Sequence, residues 1–190
     1  MTEKIWEGEL IENRVIIWGN EAVQLYDEAG YGKPLPEENP DRVELELDEA
    51  AYLVEKGKLK VFTKAEGKKK KNWVDFKDLM EIGPKQVNLF HSSYIVYRDL
   101  RERGYLVKTG YKFGAVFRVY ERGVKLVHGP KAAHEHTKWV VQPVAEESAF
   151  SLPEMSRAVR LAHNIRAIFV WAVVDKESDV TYYIIQRITP

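Results

Sequence analysis

Alternating hydrophobic and polar residues in the first half of the chain predict strands, separated by segments with helical spacing. Four segments are predicted to be strands: Gly8–Glu12, Arg14–Trp18, Val43–Leu47 and Lys58–Phe62. Three segments are predicted to be helices: Glu21–Glu28, Asp48–Glu55 and Trp73–Met80. Asp48 is expected to cap the second helix, which stops before Gly57.

The second half has the same mixture with a higher density of hydrophobic residues. A helix is predicted over Asn88–Arg103, and its large buried side chains are expected to be Phe90, Tyr94, Tyr97 and Leu100. The predicted strands are Tyr105–Thr109, Ala115–Tyr120, Thr137–Val144, Ile168–Val174 and Val180–Ile188. Ser151 and Glu154 form a capping box. The helix that it opens is expected to bury Met155, Val159 and Ala162.

Gly83 and Pro84 give the best candidate boundary between the two halves. We therefore predict an α/β (α+β) fold with two domains. Residues 1–84 are expected to form a small N-terminal α/β domain. Residues 85–190 are expected to form a C-terminal domain in which helices flank a mixed sheet.

Composition adds a neutral charge balance, since 29 Lys and Arg residues face 29 Asp and Glu residues in a chain of 190. No global positive field therefore indicates nucleic-acid binding, although a local basic site is compatible with this balance. The run Lys68–Lys71 is either a phosphate-binding segment or a solvated loop tip. The amino terminus lacks a signal pattern, and the apolar run Ile168–Val174 is too short to span a bilayer, so we expect a soluble, cytoplasmic protein.

Three histidines, His128, His134 and His136, lie in or beside one polar loop. A zinc site is disfavoured, because the chain has no cysteine and Glu135 is the one carboxylate close by. We expect no metal and no cofactor. Two interpretations stay open for these histidines, namely solvated loop residues or a role for one of them in proton transfer.

Basic residues follow helical spacing near the end of the chain. Arg157, Arg160, Asn164 and residue 167 are three, four and three positions apart, which predicts that they share one helical face away from the buried residues. Two arginines on an exposed stripe suit phosphate binding or base stacking, and they suit surface ion pairs equally well.

Four ordered motifs resemble the tRNA-splicing endonuclease family of archaea. They are the segments Leu47–Leu59, Tyr111–Tyr120, His136–Val141 and Arg160–Arg166. The first is similar to the family's amino-terminal domain, and the other three are similar to the segments that hold or precede its catalytic tyrosine, histidine and lysine. The resemblance spans roughly residues 20–185. It implies that residues 85–190 form a catalytic endonuclease domain.

The resemblance implies cleavage of precursor tRNA at bulge–helix–bulge splice sites, leaving a 2′,3′-cyclic phosphate and a 5′-hydroxyl. Tyr120 would take the proton from the ribose 2′-hydroxyl, and His136 would protonate the departing 5′-oxygen. The loop before His136 is longer than usual, so His128 and His134 are alternatives. The family lysine would neutralise charge on the phosphoryl oxygens, but Ala167 occupies its position.

Three explanations of Ala167 are open. The residue is a deliberate substitution that traps uncleaved substrate, or the chain is a degenerate partner subunit, or the motif is misaligned by one residue. Neither Arg166 nor Ile168 supplies a lysine, and the retention of Tyr120 and His136 favours substitution. We therefore expect impaired catalysis. The alternative function is a non-catalytic structural or RNA-binding subunit of a heteromeric splicing endonuclease.

The same resemblance implies further contacts. Arg160 matches the family arginine that sandwiches a flipped bulge base, with Arg157 and Tyr182 as weaker candidates for RNA binding. The acidic turn, with Asp175, Glu177 and Asp179, resembles a loop that docks into a neighbouring subunit, and a plain hairpin turn is the alternative. Because one chain holds one domain pair, we expect a homotetramer, or a heterotetramer with a related subunit.

Overall fold

The structure is a computed structural model that describes residues 4–64, 70–111, 114–124 and 136–188. The chain divides into two compact units, Met1–Tyr94 and Ile95–Pro190. Each unit contains one mixed β-sheet with helices, so the predicted α/β class is confirmed. The predicted domain boundary after residue 84 stays a prediction. No helix in the described ranges is long and apolar enough to cross a membrane.

The first unit is built on a sheet of six strands in the order β3-β4-β2-β1-β5-β6. Its strands are β1 (Trp6–Ile11), β2 (Arg14–Trp18), β3 (Lys33–Leu35), β4 (Arg42–Glu46), β5 (Leu59–Lys64) and β6 (Lys71–Val74). Its helices are α1 (Val23–Ala29), α2 (Leu47–Glu55) and α3 (Phe76–Gln86). Strands β1 and β5 are parallel, and the other pairs are antiparallel.

Alternation along these strands decides which face is buried. One face carries apolar side chains that are buried, namely those of Val15, Ile17, Val43, Leu45, Leu59 and Val61. Helix α2 contributes Ala50, Ala51 and Leu53 to the same core. Gly8 is required in β1, since a Cβ atom there would lie 2.5 Å from Val15 Cγ1.

Two local predictions for the first unit were wrong. Trp73 belongs to β6, where it pairs with Phe62 across the strands, and the following helix begins at Phe76 after the cap Asp75. The cap of α2 is Glu46 rather than Asp48, whose side chain is buried and accepts a hydrogen bond from Ser93 Oγ at 2.8 Å. Helix α3 extends to Gln86, beyond the predicted end at Met80, and contains Gly83 and Pro84. Glycine is needed at position 83, because a Cβ atom there would lie 2.2 Å from the Phe90 ring.

Helix α4 (Phe90–Glu102) runs from the first unit into the second. Its four large side chains that were predicted to be buried, Phe90, Tyr94, Tyr97 and Leu100, are all buried. Ile95 and Val96, which lie between these positions, are buried as well, so α4 is covered on more than the predicted side.

The second unit contains a sheet of five strands in the order β11-β10-β9-β8-β7. Its strands are β7 (Leu106–Thr109), β8 (Phe117–Tyr120), β9 (Trp139–Ala145), β10 (Ile168–Val174) and β11 (Val180–Ile185). Strands β9 and β10 are parallel, and helix α5 (Leu152–Asn164) connects them. This is the crossover that a parallel pair requires. The remaining pairs are antiparallel.

Helices pack on both faces of this sheet. On the face that we call the α5 face, Val140 and Phe169 pack against Ala162 of α5. On the opposite face, the α4 face, the Phe117 ring lies 5.7 Å from the Tyr97 ring of α4. The strands consequently carry long apolar runs, as strands that are covered on both sides do.

Two predictions for α5 and β10 are confirmed. The capping box is present, with reciprocal hydrogen bonds between Ser151 and Glu154. Strand β10 has the predicted bounds. Of the three residues expected to be buried by α5, Ala162 is buried, whereas Met155 and Val159 are half-buried.

Candidate active site at one end of the second sheet

Three segments that are distant in sequence meet at one end of the second sheet. Val119 lies opposite Trp139, and Trp139 lies opposite Ile168. Two hydrogen bonds hold the ends together, from Lys138 N to Val119 O at 3.0 Å and from Ile168 N to Lys138 O at 2.9 Å. The carboxyl end of β8 therefore adjoins the amino ends of β9 and β10. The backbone brings Tyr120, His136 and Ala167 to this one end.

Tyr120 is the last residue of β8 and pairs with Leu106. Because Phe117 faces α4, alternation directs Arg118 and Tyr120 to the α5 face. Only 2% of Tyr120 is exposed, so its ring is held in one place by its surroundings. Tyr120 is therefore a buried side chain in a fixed position at the carboxyl end of β8.

His136 lies three residues before β9 and is exposed to solvent. Beside it, Lys138 forms an ion pair with Glu121. The alternatives His128 and His134 lie outside the described residues. In the described part of the chain, no group of three or more His, Asp or Glu side chains is arranged to hold a metal ion.

Ala167 does not lie on the helix, contrary to the prediction that it shares a helical face with Arg160. Helix α5 ends at Asn164, and Arg166 adopts a left-handed backbone conformation with φ 57°. This turn is closed by a hydrogen bond from Ala167 N to Ala162 O at 2.9 Å. The Ala167 methyl group packs against the cluster of Val140, Ala162 and Phe169, on the α5 face.

A groove between α5 and the end of β11 contains Arg160. The groove encloses about 460 Å³ and is lined by Met155, Ser156, Val159, Arg160, Ile185, Gln186 and Arg187. Arg160 Nε donates a hydrogen bond to Ser156 O at 3.3 Å. Arg187 was not predicted as a site residue, because the last strand was expected to extend to Ile188, whereas β11 ends at Ile185. The one signal that could have identified Arg187 is a basic residue two positions after the last strand.

Tyr182 lies on the α4 face, opposite to the groove. It pairs with Ala172, and its hydroxyl donates a hydrogen bond to Asp99 of α4 at 2.6 Å. Asp99 also accepts a hydrogen bond from Arg103 at 2.7 Å. Burial, together with this carboxylate, holds the pKa of the Tyr182 hydroxyl far above its ordinary value. Arg160 and Tyr182 are therefore not brought together.

The acidic turn between β10 and β11 is closely hydrogen-bonded. Asp175 Oδ1 accepts hydrogen bonds from the backbone N–H groups of Glu177 and Asp179, each at 2.9 Å. Asp175 thus shapes the turn, while Glu177 and Asp179 are exposed to solvent. Lys176 lies 3.3 Å from Glu147 and 3.7 Å from Glu146.

Comparison with known proteins identifies the family. The model for the tRNA intron endonuclease catalytic C-terminal domain matches residues 90–182, and the model for the N-terminal domain of the same enzymes matches residues 6–79. The chain belongs to the tRNA intron endonuclease family. The resemblance drawn from the sequence motifs is therefore confirmed, and the converging strand ends lie in the catalytic domain of the family.

Relatives in this family come from archaea. A tRNA-splicing endonuclease of Thermococcus kodakarensis is 41% identical over 84% of this chain and 83% of its own length. One from Methanothermobacter thermautotrophicus is 37% identical over 97% of this chain and 98% of its own. Another, from Methanococcoides burtonii, is 34% identical over 96% of this chain but only 48% of its own length.

Proposed function

We propose that this protein cleaves precursor tRNA at bulge–helix–bulge splice sites. Relatives that are named tRNA-splicing endonucleases support the choice of tRNA as the substrate. The observation that carries the proposal is the convergence of Tyr120, His136 and position 167 at one end of a sheet in a family catalytic domain. Transfer within a ribose phosphate requires a base, an acid and a group that stabilises charge. A hydroxyl, an imidazole and a position for a cation are suited to these three tasks. We further propose that the protein acts in the cytoplasm as a soluble enzyme.

In the proposed reaction, Tyr120 accepts the proton of the ribose 2′-hydroxyl. The 2′-oxygen then attacks the adjacent phosphorus, and the bond from phosphorus to the 5′-oxygen breaks. His136 donates a proton to that oxygen, which becomes the 5′-hydroxyl of the next nucleotide. The products are a 2′,3′-cyclic phosphate and a 5′-hydroxyl, and no water, metal or cofactor is consumed. The exposure of His136 suits a group that regains its proton from solvent.

Ala167 leaves this reaction without the family's cation. The loss of one preorganised charge-stabilising group commonly lowers a rate by about 10²–10³-fold. We therefore propose that the chain is a weakened catalyst in its present form. The same observation favours a second candidate function, in which the chain is a structural or RNA-binding subunit that works with a catalytic partner of related sequence.

For substrate recognition, we propose that the groove holding Arg160 and Arg187 accepts a base that is unstacked from a bulge. Two guanidinium groups beside a half-apolar groove suit stacking on a base and contact with a phosphate. Arg157, which is exposed on the same helix, would contact phosphate. Because the Tyr182 hydroxyl is engaged by Asp99 on the other face, Arg187 is the better partner for Arg160.

We propose that the protein acts as a homotetramer, or as a heterotetramer with a related subunit. The doubled length of the relative from Methanococcoides burtonii supports the idea that more than one copy of this unit is needed. The exposed carboxylates of Glu177 and Asp179 are suited to a basic pocket on a neighbouring subunit.

The test is cleavage of a bulge–helix–bulge RNA by the purified chain and by the Ala167→Lys variant, in a metal-chelating buffer. We expect the variant to cleave about 10²–10³ times faster than the unmodified chain and to leave cyclic phosphate ends. Cleavage by the variant alone supports the enzyme. If the variant cleaves only after a second, related polypeptide is added, the structural-subunit function is correct instead.

A further inference from the structure

A buried lysine, Lys108, lies in β7 next to the strand that ends in Tyr120. Only 8% of Lys108 is exposed, and among the described residues it is the one lysine or arginine that is buried. Lysine is rarely covered to this extent, because removing an ammonium group from water is costly unless other groups compensate for it. A covered ammonium group is also less screened by salt than one at the surface, so its field acts more strongly on its neighbours.

The strand register places Lys108 on the same face as Tyr120. Lys108 lies opposite Arg118, and Leu106 lies opposite Tyr120. Since side chains that are directly opposite share a face, Lys108 and Tyr120 are diagonal neighbours on the α5 face. Such neighbours are separated by about 7–8 Å at their Cα atoms, which is within reach of long side chains.

Tyr120 consequently lies between two positions for a cation. The order of the strands is β10-β9-β8-β7, with Ala167 just before β10 on one side and Lys108 in β7 on the other. The family's lysine is missing from the first position, while the second position retains a buried lysine. Arg118 shares the face, but its Nε atom donates a hydrogen bond to Thr109 O at 2.8 Å, which directs the guanidinium group to the backbone.

We propose that the ammonium group of Lys108 supplies positive charge beside Tyr120 and partly compensates for the absent lysine at position 167. This inference rests on the proposed RNA cleavage. Lys108 is a positioning residue, since it acts through Tyr120 rather than on the RNA. Its charge stabilises the negative charge that the Tyr120 oxygen carries before it accepts the proton of the 2′-hydroxyl.

The experiment measures single-turnover cleavage and RNA affinity for Lys108→Met in two backgrounds, the unmodified chain and Ala167→Lys. We expect a loss of about tenfold or more in the unmodified chain, since a poorly screened charge at this distance is worth at least one decade in rate. The loss should be smaller with Ala167→Lys, which adds a second cation. RNA affinity should not change. Lys108→Arg, which keeps the charge, should retain most of the rate.

Controls separate the charge from a structural role. Lys60→Met removes an exposed lysine from β5 and should change nothing. In a Tyr120→Phe background, Lys108→Met should cause no further loss, because the group through which it acts is gone. Thermal melting establishes that each variant is folded, and Lys108→Gln replaces Lys108→Met if the latter is not.

Each result decides between the two proposals. If Ala167→Lys does not cleave RNA, with or without a related polypeptide, the proposed function fails and this inference fails with it. If that variant cleaves, three results overturn the inference alone. They are an unchanged rate for Lys108→Met, an equal loss in both backgrounds, and a full further loss in the Tyr120→Phe background.

Discussion

The two sheets of this protein treat charged side chains in opposite ways. On the first sheet, charged residues on the face away from the core pair with each other across strands, as Lys64 and Glu9 do at 2.6 Å and Arg14 and Glu46 do at 2.8 Å. On the second sheet, helices pack on both faces, Lys108 is buried, and the half-buried Tyr182 and Asp99 are joined by a hydrogen bond.

The comparison shows that a charged side chain indicates function when it is buried rather than solvated. A lysine on a half-solvated strand is ordinary, because water and a neighbouring carboxylate compensate for it at little cost. A buried lysine requires compensation from the protein, so its presence calls for a functional explanation. Variants in both units test this distinction, and the largest effect is expected first.

The largest effect is expected at Tyr120. In the Ala167→Lys chain, Tyr120→Phe should lower the single-turnover cleavage rate by about 10²–10⁴-fold, because it removes the proposed general base. The matched control is Tyr105→Phe, since Tyr105 packs against Trp139 on the α4 face of the same sheet. Equal losses in the two variants would show that the α5 face has no special role.

The next largest effect is expected on stability, at Asp48, a buried acid in the first unit. Burial raises the pKa of the Asp48 carboxyl to about 7 from 3.8, so the folded protein binds a proton here that the unfolded chain has released. Stability should therefore fall as pH rises between these values. Asp48→Asn keeps the contact with Ser93 and removes the titration. As pH rises from 3.8 to about 7, the unfolding free energy of the Asp48→Asn protein should rise relative to that of the unmodified chain, by up to about 4 kcal/mol.

Urea denaturation at a series of pH values measures this difference, and a parallel pH dependence in both proteins would contradict it. The result also sharpens the comparison of the sheets. Asp48 is buried, as Lys108 is, but it belongs to α2 in the first unit and not to the residues matched by the catalytic-domain model. Cleavage of RNA should be unaffected by Asp48→Asn at temperatures where both proteins are folded.

Arg160 should affect binding rather than chemistry. Arg160→Ala is expected to weaken binding of bulged RNA by about tenfold to a hundredfold, since stacking on one base is worth about 1–3 kcal/mol. A fully paired RNA of the same length should lose much less affinity. The control Arg42→Ala removes an arginine that is paired with Asp41 and Glu44 on the first sheet. A similar loss in the control would indicate a general electrostatic effect instead.

The smallest effect is expected for the surface pairs of the first sheet. Lys64→Met breaks the contact with Glu9 and should change the unfolding free energy by less than about 1 kcal/mol, because exposed ion pairs contribute little. Cleavage should be unchanged. A measurable loss of cleavage for Lys64→Met would remove the distinction drawn between the two sheets.

Local patterns in the sequence predicted the elements whose signals are strong. The capping box at Ser151 and the apolar run of β10 are confirmed, and the large residues of α4 are buried as their spacing indicated. Trp73 was assigned to a helix because its pairing with Phe62 is a tertiary contact, and such contacts override local preference. Asp48 was taken as a cap because its burial against Ser93 depends on a residue 45 positions away.

The site was predicted through the family motifs rather than from physical patterns. Composition and spacing do not reveal that β8, β9 and β10 end beside one another, since strand order depends on the whole chain. Helical spacing also placed residue 167 wrongly, because the left-handed turn at Arg166 carries no glycine to mark the end of α5. Lys108 was not predicted as a functional residue, because a single lysine in a short strand cannot be told from a solvated lysine by sequence.

The alternation of β10 limits which positions could supply the proposed cation. Ile168 pairs with Trp139 on the α4 face, and position 169 is filled by the buried ring of Phe169. Arg166 lies in a turn and is exposed. Of these positions, only 167 carries a small side chain on the α5 face beside the strand ends. A lysine in place of Ile168 would start from the α4 face, so the proposed cation can be supplied at position 167 and not at its neighbour.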